Sequence, residues 1–358
     1  MTHAGQLRLR SDLSALPRYV AGLPPRAGTG WKLSSNEVAL PPAADVLAAT
    51  TRALTSANRY PDIAAMALVT RLAAHLDAAP QRILVGGGSI AVLQEVLQTA
   101  TDPGDAVVFA WRSYEAYPIV TRVSRATPVK VALTTEHRHD LHAMASAVRE
   151  HEARAVIVCN PNNPTGTAMT RLELEAFLDA VPDSCLVILD EAYREFVTDP
   201  SVPDGVELSA GRPNVLVLRT FSKAHGLAGL RVGYAVAPPP IADAVRSVAL
   251  PFTVNSVAQA AAVAALDAWP TQRAVVRDIT ERRDAFLEAL RADGLEAAPS
   301  QANFVWLPWS RGVDGLPEVW SDLGVSVRRF GEDGVRITIG EPEALAAILA
   351  SLPGGASR

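Results

Sequence analysis

Three features of the chain predict an α/β fold, in which a mostly parallel sheet covered by helices on both faces is followed by a smaller α+β unit. Short uninterrupted apolar runs recur at 83–85, 106–109, 155–159, 186–189 and 215–218, the pattern of strands buried on both faces. Amphipathic stretches at helical spacing separate them, so successive strands are joined by crossovers and run parallel. After Pro251 the alternation stops, and Ala-, Arg- and Glu-rich stretches at 256–268 and 272–292 lead into a few short strands. The expected layout is an N-terminal arm (1–35), a large domain (36–250) and a small C-terminal domain (251–358).

Residues 1–30 hold three prolines and little periodicity, as an arm lying over another part of the protein would. A Pro41-Pro42 stop precedes an amphipathic helix at 43–54, and a second helix is expected at 64–76. The strand at 83–85 breaks into Gly86-Gly87-Gly88-Ser89, where Ser89 is placed to cap the next helix. Pro103-Gly104-Asp105 turns the chain into the strand 106–109 and the loop Trp111-Arg112-Ser113-Tyr114. A strand at 129–133 and a helix at 141–151 lead to the strand 155–159, which ends in Asn160-Pro161-Asn162-Asn163-Pro164-Thr165-Gly166. Thr170 and Glu173 form a capping box at the start of the helix that follows. The strand 186–189 runs into Asp190-Glu191-Ala192-Tyr193, and the strand 215–218 into Arg219-Thr220-Phe221-Ser222-Lys223. Further strands are expected at 232–237, 304–307, 325–328 and 335–339, with a closing helix at 342–352.

Composition narrows the function. A formal net charge of −5 gives no reason to expect nucleic acid or an anionic membrane as partner. Residues 1–30 lack an apolar signal core and no run approaches 18 apolar residues, so a cytoplasmic protein is expected. Cys159 and Cys185 lie in or beside apolar runs, which favours buried, reduced thiols over a disulfide.

The groups at successive strand ends carry the chemistry. Only Lys32, Lys130 and Lys223 are lysine, so only three side chains could condense with a carbonyl cofactor, and Lys223 alone follows a buried strand. Asp190 is a carboxylate at the lip of a strand, costly there unless it meets a cation or hydrogen-bond donors. Tyr193 and Asn163 can donate to a phenolate-like oxygen, and Tyr114 offers a face for a flat ring. Ser89 and the amides of Ser89 and Ile90 open a helix, where a phosphate is at home, and Ser222 and Arg231 add a hydroxyl and a fixed positive charge. A phosphorylated aromatic aldehyde with a basic ring nitrogen and a phenolic oxygen satisfies all of them. Pyridoxal 5′-phosphate (PLP) is such a molecule.

Asn-Asn-Pro-Thr-Gly (162–166), Asp-Glu-Ala-Tyr (190–193), Arg-Thr-Phe-Ser-Lys (219–223) and Gly-Leu-Ala-Gly-Leu-Arg (226–231) also resemble, in order and spacing, the fold type I PLP-dependent aminotransferases of the histidinol-phosphate branch. The resemblance runs over nearly the whole chain. It implies that Lys223 is the Schiff-base lysine, Asp190 the partner of the pyridine nitrogen, and Asn163 and Tyr193 the donors to the ring oxygen. Tyr114 would stack on the ring, with Ser89, Ser222 and Arg231 at the phosphate. Tyr60, in Asn-Arg-Tyr-Pro-Asp, resembles a tyrosine that reaches the neighbouring subunit's site, which implies a homodimer. Arg336 matches the arginine for the substrate's anionic end, Asn36 and Tyr19 the arm residues that close over substrate, and Arg328 a further candidate for that pocket.

Within the branch the likeness is strongest to actinobacterial aromatic amino acid aminotransferases, through Ala110-Trp111-Arg112-Ser113, Leu250-Pro251-Phe252-Thr253-Val254 and the stretch 300–308. It implies aromatic amino acids and a 2-oxo acid such as 2-oxoglutarate as substrates. Two positions depart from the pattern. Ile90-Ala91 replaces an acidic pair common in the histidinol-phosphate enzymes, which argues against that substrate, and His225 stands where an aromatic residue is usual.

Other readings stay open at this point: histidinol-phosphate transamination, with Arg336 and Arg328 holding a phosphate; a decarboxylase of the threonine-phosphate type on the same scaffold; and a non-catalytic protein of this fold. His137, His139 and His142 lie in a polar stretch before a helix, and no metal site is expected from them. Trp306 and Trp309 read as packing in the small domain, and His225 as a residue behind Lys223 rather than a base.

Overall fold

The computed structural model describes Arg10, Leu16 and residues 18–25 and 30–353. The part of the arm outside those positions therefore lies outside the described residues. The described arm ends in a two-residue strand, β1 (Trp31–Lys32). The central sheet is built from β2 (Ile83–Gly86), β3 (Ala106–Trp111), β4 (Thr127–Ala132), β5 (Ala155–Cys159), β6 (Leu186–Asp190), β7 (Val215–Thr220) and β8 (Gly233–Val236).

The strand order is β2-β8-β7-β6-β5-β3-β4, and every pair is parallel except the two that β8 makes. Because β8 runs the opposite way, its first residues lie at the edge where β7 ends. Alternate residues of a strand face opposite sides of a sheet. Val156 and Val158 of β5 join a core with helices Met66–Leu76, Leu141–Glu150, Arg171–Ala180 and Ser256–Asp267, whereas Ile157 and Cys159 join a second core with Ser89–Ala100 and Pro239–Val248. β5, β6 and β7 are buried at every residue, so both faces are covered.

Two local expectations change. Ser89 does not cap its helix: Gly88 holds the cap position at φ 100°, without a side-chain cap, and Ser89 is the first helical residue. The chain enters that helix through a left-handed conformation suited to glycine, and the Ser89 hydroxyl is left free of capping duty. Helices Tyr117–Val123 and Pro239–Val248 lie outside the expected elements, and each carries proline in its first turn. The first helical N–H groups have no intrahelical acceptor, so proline there costs no hydrogen bond. The Thr170–Glu173 capping box forms at helix Arg171–Ala180.

After helix Trp269–Ala292 come β9 (Phe304–Pro308), β10 (Val325–Ser326), β11 (Arg328–Arg329) and β12 (Gly334–Thr338). β11, β12 and β9 form an antiparallel sheet in that order, while β10 pairs in parallel with β1 and ties the arm to this side. Helix Ser256–Asp267 packs Ala258, Ala261, Ala262, Ala265 and Leu266 into the core of the large sheet. The next helix gives Val276, Ile279, Phe286 and Leu290 to the core around β9 and β12. We propose 250/251 as the boundary between the large and small domains, with helix Ser256–Asp267 lying back on the large core before the chain moves at Ala268 to the small one. Trp306 is buried and Trp309 packs on the small core. Among the described residues no helix is long and apolar enough to cross a membrane, and no group of His, Cys, Asp and Glu is arranged to hold a metal.

Candidate active site

The carboxyl ends of β2, β3, β5, β6 and β7 meet the start of β8 along one edge of the sheet, where open α/β sheets place their ligand sites. Lys223 sits three residues past β7, and its Nζ donates to the Ser35 carbonyl at 3.2 Å. Burial, then the positive charges of Arg336 and Arg231, lowers its pKa to about 7. Asp190, the last residue of β6, is buried and accepts from Tyr117 Oη at 2.7 Å and the Ala192 N–H at 3.2 Å. Burial raises its pKa and the Tyr117 bond opposes that rise. Among the described residues no cation pairs with it. Cys159 stands opposite Asp190 in register on β5 and lines the same cavity, its thiol pushed up to about 12 by burial and by Asp190. Both cysteines are free and buried.

Ser89, Ser222 and Arg231 gather at the start of helix Ser89–Ala100. Arg231 has φ 58°, and its Nη1 donates to the Ala228 carbonyl at 2.9 Å and Ser222 Oγ at 3.4 Å, with no carboxylate among the described residues. A Cβ on Gly88 would stand 2.5 Å from Arg231 Nη2, and one on Gly233 2.3 Å from the Ser89 nitrogen. Two glycines thus let β8, Arg231 and the helix start close on one another. Tyr114 meets Tyr117 edge to face at 5.6 Å and Tyr19 at 6.2 Å.

The other wall comes from the arm and the small sheet. Asn36, at φ 56°, donates through Nδ2 to Tyr193 Oη at 2.9 Å, and its backbone N–H donates to Thr338 Oγ1 at 2.9 Å. On β12, Val335 and Ile337 enter the small core, so Arg336 between them faces the cavity. Arg336 donates to Asn163 Oδ1 at 2.5 Å and to the Ser34 carbonyl at 2.7 Å, while its buried Nε lacks a partner among the described residues. Burial lowers its pKa. Arg328 instead pairs with Glu115, Nη2 to Oε2 at 2.6 Å.

Of the residues singled out from sequence, Tyr19, Asn36, Ser89, Ile90, Tyr114, Asn163, Asp190, Tyr193, Ser222, Lys223, Arg231, Arg328 and Arg336 all line one cavity. Tyr60 does not: it is 82 % exposed and stacks on Phe252 at 4.6 Å. His225 is buried between Phe221 and Trp269 outside the cavity lining, with its pKa pushed down to about 3 by burial. Glu115, Phe330 and the Tyr117–Asp190 bond escaped the sequence reading. Glu115 follows Tyr114 directly, but nothing local marks a pairing with a residue 213 positions away.

Residues 29–352 match the model of the family Aminotransferase class I and II. The chain belongs to this family. The aminotransferase is 50 % identical over 343 residues to a Rhodococcus jostii protein named aromatic amino acid aminotransferase, covering 96 % of this chain and 94 % of the relative. A Streptomyces coelicolor protein of the same name is 48 % identical over 94 % of each chain. Among solved structures, histidinol-phosphate aminotransferase from Sinorhizobium meliloti in complex with pyridoxal 5′-phosphate superposes with a TM-score of 0.89 at 28 % identity over 99 % of each chain. The aminotransferase thus has the fold expected from its alternating strands and helices.

Proposed function

We propose that this aminotransferase binds PLP and transfers the amino group of aromatic amino acids to a 2-oxo acid such as 2-oxoglutarate. The observation that carries the substrate reading is Arg336, a cavity guanidinium with no carboxylate partner among the described residues, in a cavity also lined by Tyr19, Tyr114 and Phe330. One carboxylate and one aromatic side chain suit that lining. The names of the two relatives at 48–50 % identity agree with it.

The fit to PLP rests on groups that want partners. Asp190 is a buried carboxylate without a cation among the described residues, and a protonated ring nitrogen would supply one. Arg231, Ser222, Ser89 and the helix start want an anion, which a phosphate supplies. When bound, the cofactor supplies a carbonyl carbon to take the amino group and an electron-withdrawing ring. The chain's residues do the rest. Asp190 would hold a proton on the ring nitrogen, Tyr193 and Asn163 would donate to the ring oxygen, and Tyr114 would offer its face to the ring. Lys223, with a pKa of about 7, is partly neutral at neutral pH, so its Nζ can take the α-proton of substrate and return it. Arg336 holds the α-carboxylate, and Tyr19 and Asn36 on the arm exclude water. A second copy of the chain completes the site with Tyr60, which is exposed at the surface on top of Phe252.

Histidinol phosphate is the second reading, favoured by the 28 % identical S. meliloti structure and by Arg328 in the same cavity. The test is a half-reaction: the cofactor absorbance is followed while phenylalanine, tyrosine or histidinol phosphate is added without an acceptor. Fast conversion by the aromatic amino acids, with histidinol phosphate slow or inert, is expected. The reverse ranking overturns the substrate assignment, and carbon dioxide without an oxo acid points to the decarboxylase.

A further inference from the structure

Three arginines crowd one ring in this cavity. The guanidinium carbons of Arg328 and Arg336 each lie 5.4 Å from the Phe330 ring centroid, and that of Arg112 lies 6.0 Å away. Two of the three are already paired with carboxylates. Arg112 Nε meets Asp333 Oδ2 at 2.5 Å, and Arg328 Nη2 meets Glu115 Oε2 at 2.6 Å. The Arg328 and Glu115 side chains are only 11 % and 29 % exposed, so their pair is less screened than a surface one. Arg328 is further tied to the arm through Nη1 and the Ala21 carbonyl at 3.0 Å. Arg336 differs from both, since among the described residues it donates to neutral oxygens.

Glu115 therefore has two effects on whatever enters. It engages the guanidinium that would otherwise receive a second anion, and its own charge repels that anion. Specificity often rests on such a repulsive element as much as on an attractive one. We propose that Glu115 is a specificity-determining residue: by holding Arg328 in an ion pair inside the cavity, it leaves Arg336 for a single carboxylate and selects against substrates with a second anionic group. This rests on the transaminase reading above and explains how a cavity with two cavity-lining guanidiniums at Phe330 favours an uncharged aromatic side chain. Acidic acceptors remain substrates by competing with Glu115 for Arg328, at a disadvantage relative to a cavity that lacks the glutamate.

The experiment compares the wild-type holoenzyme with Glu115→Gln, which keeps shape and removes charge. Two readouts are taken: half-reaction rates with phenylalanine, glutamate and histidinol phosphate, and calorimetric binding of the unreactive succinate and 3-phenylpropionate. In Glu115→Gln the preference for the two-anion ligand over its one-anion counterpart should rise about ten- to hundredfold, the scale of one charge-assisted hydrogen bond. In Glu115→Gln/Arg328→Gln it should fall back towards the wild-type value. A preference that changes by less than about twofold in Glu115→Gln overturns the proposal, since a freed buried guanidinium would do more. A rise that survives the second substitution also overturns it, because Arg328 would then not be the receiving group. Failure of the transaminase reading looks different: the wild-type enzyme itself would not convert phenylalanine.

Discussion

The two walls of the cavity are built by different rules. On one wall, Ser89, Tyr114, Asn163, Asp190, Tyr193, Lys223 and Arg231 each lie within four residues of a central-sheet strand end. The register of buried parallel strands sets their spacing. On the opposite wall, contacts join residues far apart in sequence: Asn36 to Tyr193 across 157 positions, Arg336 to Asn163 across 173, and Arg328 to Glu115 across 213. A wall of strand ends inherits its geometry from a covered core. A wall of long-range polar contacts takes its geometry from how the arm and small sheet close, and each of its bonds is a point of adjustment.

Removing the central amine tests the first wall most severely. Lys223→Ala should lower turnover by about a thousandfold or more, measured by steady-state assay, because the proposed proton carrier is lost. Its burial also has a stability signature. The pKa lies near 7 in the fold and near 10.5 when solvated, so the native state disfavours the ammonium. The penalty is full below about pH 7 and disappears as pH rises towards 10.5. Cofactor-stripped Lys223→Met should therefore melt higher than the stripped wild-type protein at pH 6.5, with the gap closing as pH rises.

Next in size is the second wall. Arg336→Gln should lower kcat/KM for aromatic substrates about ten- to hundredfold, and Arg336→Lys should restore only part of it because an ammonium cannot make the forked contact. A loss confined to kcat would contradict a carboxylate-binding role. A smaller effect is expected from Tyr117→Phe, which removes the 2.7 Å donor to Asp190. That bond holds the carboxyl pKa down against burial, so its loss should raise the pKa, shift the acid limb of the pH–kcat profile upward and slow the half-reaction about two- to tenfold. Smallest is Thr170→Ala. It breaks the capping box of Arg171–Ala180 and should cost about 1 kcal/mol in a denaturant titration, with the half-reaction rate retained.

The contrast between the walls is also a contrast in legibility. Lys223 stands out because two other lysines are all the chain has and only this one follows a buried apolar run. Asp190 stands out as a charge ending such a run. Ser89 was read correctly as lying at a helix start but not as the cap, because the choice between Gly88 and Ser89 depends on Arg231 and β8 packing against that turn. The helices Tyr117–Val123 and Pro239–Val248 were hidden by prolines whose tolerance depends on position within the first turn. Tyr60 shows the limit from another side, since its own chain leaves it stacked on Phe252 and away from the cavity.

The sequence by itself determined the alternation of buried strands and amphipathic helices, and with it the edge on which Lys223, Asp190, Asn163 and Arg231 assemble. The reason is local: hydrophobic period and turn chemistry act over a few residues and carry the adjacent polar group with them. Only the tertiary structure decided that Glu115 engages Arg328, that Arg336 meets no carboxylate among the described residues, and that Tyr117 braces Asp190. Those outcomes follow from which side chains meet once the arm and the small sheet close over the central sheet. No periodicity along the chain records such a meeting.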